Sequence, residues 1–120
     1  MDTLDLEHNE MVKALAKPGD DILVSLTASQ CHLLHMAIGV SGEAGELIDA
    51  IKKNAIYEKP LDLENVIEEL GDLEFYMAGL RHGLGITREQ CLNANIEKLA
   101  KRYSDKKYSN AQAQDRADKQ

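Results

Sequence analysis

Tryptophan is absent from this 120-residue chain, and one phenylalanine and four tyrosines make up its whole aromatic content. Stacking platforms for a run of nucleobases are therefore poorly provided. Basic residues are also in deficit, with 14 Lys and Arg against 21 Asp and Glu and a formal net charge of −7. Backbone affinity for a nucleic acid polymer needs surplus cations, so that class of partner is excluded. A small phosphorylated ligand is not, provided a metal bridges the like charges. No apolar run approaches the roughly 18 residues of a membrane span, and Met1-Asp2-Thr3 opens nothing like a basic, apolar signal segment. A cytoplasmic protein without a membrane partner is expected. Cys31 and Cys91, the only cysteines, lack CxxC spacing and read as reduced, buried thiols.

What is present fits a small globular protein. Hydrophobic residues make up 43% and charged residues 29% of the chain, which is enough for one modest core at a size where association with other subunits helps stability. Leu4, Met11 and Leu15 predict a helix over about 3–16, broken at Lys17-Pro18-Gly19-Asp20. Thr27-x-x-Gln30 is a capping-box signature opening a long periodic run through Leu33, Leu34, Ala37, Ile38, Leu47, Ile48 and Ile51. Gly39, Gly42 and Gly45 interrupt that run at a cost of roughly 1 kcal/mol each relative to Ala, which predicts close approach of another backbone or a local kink. After a loop around Tyr57 to Leu61, Asp62 is a candidate cap for a helix striped by Leu63, Val66, Ile67, Leu70, Leu73, Met77 and Leu80, with Gly83 and Gly85 as its stop. Thr87-x-x-Gln90 repeats the capping signature and starts a last helix to about Tyr103. No strand alternation occurs, so the fold class is all-α. The expected organisation is one domain over 1–103 and a polar tail over 104–120, mobile or ordered by a partner.

Two acidic pairs stand out. Glu43-x-x-Glu46 and Glu69-x-x-Asp72 each place two carboxylates on one helical face. If those faces meet, four carboxylates converge, and like-charge repulsion and desolvation make such a cluster costly unless a hard divalent cation sits among them. Magnesium is the leading candidate, and zinc is disfavoured because no Cys or His supplements the pairs. Solvated helix faces are the ordinary reading of such acids. Against it, Glu43 and Glu46 are flanked by glycines and apolar residues, and Glu69 and Asp72 interrupt an apolar helix. Upstream on the same stripe, His32 and His35 are candidates to line a base pocket, or ordinary partly buried histidines. Asn95, Lys98 and Arg102 step by three and four along the last helix and could grip phosphate oxygens. Cations there also simply complement the helix dipole. Lys52 and Lys53 add positive charge beyond Glu46.

The runs Gly39-Val40-Ser41-Gly42-Glu43-Ala44-Gly45-Glu46-Leu47-Ile48-Asp49-Ala50-Ile51-Lys52-Lys53, Glu68-Glu69-Leu70-Gly71-Asp72 and Asn95-x-x-Lys98-Leu99-x-x-Arg102-Tyr103 resemble the MazG-type all-α nucleoside triphosphate pyrophosphohydrolases over about residues 28–103. The short length resembles the phage-borne, single-domain branch, which would place the protein in a host cytoplasm. The resemblance implies a bundle of about four helices completed by oligomerisation, as a homodimer or homotetramer with sites built partly from a neighbouring subunit. It implies hydrolysis of a (deoxy)nucleoside triphosphate to the monophosphate and pyrophosphate with Mg²⁺, or Mn²⁺ in its place. By that likeness Glu43, Glu46, Glu69 and Asp72 would hold metal, and Asn95, Lys98 and Arg102 would contact phosphates or sugar. Beside the resemblance, Glu46 or Glu43 is the candidate general base, because a carboxylate not fully used in coordination can take the water's proton, and Lys53, His32 and His35 are further candidate substrate ligands. Leu99 stands where the family often carries an aromatic residue. A purine deoxynucleotide, dGTP or dATP, is the expected substrate. A dUTP or dCTP pyrophosphatase, a phosphoribosyl-ATP pyrophosphohydrolase and a noncatalytic helical module are the alternatives.

Overall fold

A computed structural model describes residues 2–119, and among them the chain is helical with no strand. It divides into two compact units, Met1–Cys31 and His32–Gln120. In the first, α1 spans Thr3–Leu15, and the Asp2 carboxylate caps it by accepting the Asp5 N–H at 2.8 Å. Pro18 then serves as the N-cap of a short α2, Gly19–Ser25, where the sequence pattern predicts only a break. Seven residues make only two turns, too few for a 3.6-residue period to register.

The long α3 runs over Ala28–Ala55 and is not broken by its glycines. Its start is the expected reciprocal cap, with Thr27 N–H donating to Gln30 Oε1 at 2.9 Å and Gln30 N–H donating to Thr27 Oγ1 at 3.1 Å. A tight connection comes next, in which Asn54 Nδ2 donates to the Lys59 carbonyl at 2.8 Å and Glu58 takes a left-handed conformation at φ 56°. Asp62 caps α4, Leu63–Leu84, through the Asn65 N–H at 3.1 Å. Gly83 does not stop α4. It lies inside the helix, and the stop is Gly85, whose φ of 68° lets its own N–H and that of Ile86 bond back to the final turn.

Helices α3 and α4 pack antiparallel, because ascending positions on one meet descending positions on the other. Gly39 faces the Tyr76 ring, Gly79 faces Met36, and Gly83 faces His32 and Leu33. A Cβ at any of these three would overlap its neighbour, so three glycines set the separation of the helices. The close backbone approach or kink expected of the three α3 glycines is not what they provide: Gly39 makes room for the Tyr76 ring, and Gly42 and Gly45 have nothing within 4 Å. Among the described residues only Met36 and Ala50 count as buried apolar side chains, both on the α4-facing side of α3. Three of the seven expected α4 stripe positions are uncovered, with Leu63 62%, Ile67 61% and Leu70 47% exposed.

Helix α5, Arg88–Arg102, opens with the full Thr87–Gln90 capping box. The segment after it is not structureless. It forms α6, Asn110–Asp115, capped by Ser109, and a 3₁₀ helix, Ala117–Lys119, and both pack on α5. Both cysteines are free thiols but exposed rather than buried, since the apolar stripe of each helix falls on other positions.

Candidate functional site

Along α3 the least exposed positions include Leu33, Met36, Val40, Glu43, Leu47 and Ala50, stepping by three and four. That is the seam a helix presents to an antiparallel neighbour. Glu43 thus occupies a seam position that would ordinarily hold an apolar residue, and on α4 the half-buried positions Val66, Glu69, Leu73 and Tyr76 do the same for Glu69. Asp72, one turn beyond Glu69, completes the group. One carboxylate oxygen each from Glu43, Glu69 and Asp72 lies within 4.8 Å of the others.

The electrostatics record the crowding. Glu69 is raised from 4.5 to about 7, first by its hydrogen bond with Glu43, then by burial, then by the negative charges of Glu43, Asp72 and Glu46. Two carboxyl groups can hydrogen-bond only if a proton lies between them, so the pair shares one at pH values below about 7. Even so, Glu69 Oε2 is enclosed with no hydrogen-bond partner. An orphaned carboxyl oxygen in a packed seam is costly unless a donor or a cation meets it. Three converging carboxylates with no thiol or imidazole form a donor set suited to a hard divalent cation.

The other sequence-derived candidates lie in different surroundings. Glu46 is exposed and outside the converging group, yet near enough to help raise Glu69. His32 Nε2 contacts the Gly79 carbonyl at 2.9 Å, and His35 sets its ring edge-on to Tyr76 at 6.3 Å, so both serve the contact between α3 and α4. Lys53 pairs with Asp49 at 3.2 Å, with both side chains about half exposed. Asn95 is exposed on α5. Lys98 lines a hollow with Ala94, Glu97, Lys101, Asp118 and Lys119. Arg102 grips Asp118 at two points, Nε to Oδ1 at 3.0 Å and Nη2 to Oδ2 at 3.4 Å. Within one chain, then, Arg102 pairs with the C-terminal segment rather than with the Glu43–Glu69–Asp72 group, and Lys98 lines the hollow beside that pair. Asp118 was invisible to sequence reasoning because it sits in a polar, aperiodic stretch.

Residues 32–106 match the model of the MazG nucleotide pyrophosphohydrolase domain. The chain belongs to the MazG family. No match was found among curated proteins or among solved structures. The MazG match begins in α3 at the first seam residues and ends just beyond α5, so it takes in the acidic helix pair and the cationic helix and stops short of α6. MazG membership places the chain among the nucleoside triphosphate pyrophosphohydrolases, a family that uses divalent metal, and the Glu43–Glu69–Asp72 group is the place in this MazG chain where one could bind. No helix among the described residues is long and apolar enough to cross a membrane.

Proposed function

We propose that this chain is a Mg²⁺-dependent pyrophosphohydrolase that splits a nucleoside triphosphate between its α and β phosphates. The observation that carries the reading is the convergence of Glu43, Glu69 and Asp72 around an unpartnered Glu69 oxygen within MazG-matched helices. Those three residues hold the divalent cation, Mg²⁺ with Mn²⁺ as its substitute. When bound, the ion supplies charge neutralisation for the polyphosphate and Lewis-acid assistance to hydrolysis.

The remaining chemistry falls to the chain's own groups. Glu46 stands beside the cluster without joining it, so a Glu46 carboxylate oxygen is free to take the proton of the attacking water. Water oxygen bonds to the α phosphorus, the bond to the bridging oxygen breaks, and pyrophosphate leaves. Lys98 and Arg102 stabilise the charge that accumulates on the departing group, and Asn95 bonds the sugar or a phosphate edge. Lys53 adds a further cation at the substrate's approach.

Self-association as a dimer or tetramer belongs to the same proposal. Ile48, Phe75 and Ile96, on the three helices that carry the site, are 64–66% exposed, and apolar faces of that kind favour burial against another subunit. A neighbouring copy would also supply Lys98 and Arg102 to the carboxylates. We take a purine deoxynucleotide, dGTP or dATP, as the substrate, by analogy of fold.

Pyrophosphate release from each dNTP and NTP in turn, with Mg²⁺ and with Mn²⁺, tests the reading. Monophosphate and pyrophosphate from dGTP or dATP is the expected outcome. Turnover confined to dUTP or dCTP would overturn the purine assignment, and turnover of phosphoribosyl-ATP alone would move the chain to a different substrate class. Inactivity on all of them would remove the enzymatic reading.

A further inference from the structure

The family-matched residues end at 106, and the C-terminal segment beyond them folds back onto α5. Gln112 Nε2 donates to Ser104 Oγ at 2.9 Å, and the Tyr108 ring lies 5.8 Å from that of Tyr103. The Lys119 N–H bonds the Arg116 carbonyl at 2.8 Å, closing the 3₁₀ turn that carries Asp118. This scaffold delivers one carboxylate to the helix face bearing Lys98, Lys101 and Arg102. The Asp118 side chain is only 3% exposed and that of Arg102 17% exposed, so the fork of the guanidinium is covered. Beside it, Lys98, Lys101 and Lys119 line a hollow of about 250 Å³ together with Ala94, Glu97 and Asp118.

A carboxylate held two-pronged on a guanidinium makes the contacts a phosphate would make there. We propose that the C-terminal segment is a built-in competitor of the substrate: Asp118 occupies the Arg102 fork, and the triphosphate must displace it to bind. This rests on the reading of Arg102 as a phosphate ligand. The exchange is favourable in principle, because a triphosphate brings several negative charges and more oxygens to a cluster that Asp118 meets with one. Arg102 in turn holds Asp118 below the usual carboxylate range, so the competitor is ionised wherever the enzyme would work. Apparent affinity is then reduced by the fraction of chains in which the segment is docked.

The test is steady-state pyrophosphate release by the full chain carrying Asp118→Asn, Arg102→Ala or both. Asp118→Asn should lower KM by about fivefold with little change in kcat, because a docked fraction of roughly four-fifths is released. Arg102→Ala should raise KM, and in that background Asp118→Asn should no longer matter. A KM for Asp118→Asn equal to or above wild type, with Arg102→Ala still impaired, would overturn the competitor and leave the phosphate role standing. An unchanged KM and kcat in Arg102→Ala would instead remove the phosphate role itself. Amide exchange of residues 110–119 in the wild-type chain gives a readout without turnover. Mg²⁺ with inorganic tripolyphosphate should speed exchange there, and unchanged protection at saturation would refute displacement.

Discussion

Replacing Gly39 by Ala should separate two effects that a helix glycine combines. In an unencumbered helix the change stabilises by about 1 kcal/mol through propensity. At Gly39 the new methyl would overlap the Tyr76 ring at Cγ, Cδ1 and Cε1, with Cγ 2.5 Å away. Cγ stays in place when the ring flips about χ2, so α3 and α4 must part or χ1 must turn and the ring leave its seat. Overpacking of that kind costs about 2–3 kcal/mol in a packed seam, leaving a net loss of about 1–2 kcal/mol after the propensity gain. At roughly 4 °C per kcal/mol for a chain of this size, the melting temperature should fall by about 4–8 °C. Gly42→Ala, with nothing within 4 Å of the added methyl, should rise by up to about 4 °C. Circular dichroism melts at one protein concentration, without metal, compare the three proteins. Because Gly39 lies one turn before Glu43 and Tyr76 one turn after Asp72, Gly39→Ala should also weaken Mg²⁺ binding, measured by calorimetry. A Gly39→Ala protein that melts at or above wild type would refute the seating of Tyr76 against α3.

Three further outcomes are expected. Folding draws a proton onto Glu69, whose carboxyl moves from 4.5 to about 7, so its contribution to the stability of the metal-free protein is fully present below about pH 4.5 and is lost as pH rises through 7. Urea titrations between pH 5 and 7.5 should show the decline in wild type and its absence in Glu69→Gln; the same slope in both would exclude Glu69 as its source. Mg²⁺ should raise the melting temperature more at pH 8 than at pH 6, since cation and proton compete for the same oxygens, with EDTA reversing the gain. An equal gain at both pH values, or one retained in Asp72→Asn, would place the ion elsewhere. Glu46→Gln should lose turnover by about two orders of magnitude or more while keeping helicity and Mg²⁺ binding, and wild-type rates in that variant would remove Glu46 as the base.

Much of the helical framework was legible in residues close together in the chain. Thr27 with Gln30, Thr87 with Gln90, and Asp62 with Asn65 cap their helices through bonds three residues long. Pro18 ends the first helical run for an equally local reason, its missing N–H. The pairing of Glu43 with Glu46 and of Glu69 with Asp72 on single faces follows from the helical repeat alone. The tail was not legible, because Asp118 and Arg102 meet across sixteen positions through a turn with no periodic signal.

The amino-acid order by itself therefore determined an all-α chain, where its long helices begin, and which acids and cations each helix carries, since these depend on contacts within one turn. The register of α3 against α4 was decided only by tertiary packing. That packing selected Gly39 over Gly42 and Gly45 as a point of contact, made Gly83 a seat for His32 rather than a helix stop, and brought Glu43 to Glu69 and Asp72 while leaving Glu46 beside them. A helix carries several stripes of comparable character. Which one turns inward depends on the shape of the neighbour it meets, and no residue on the helix encodes that alone.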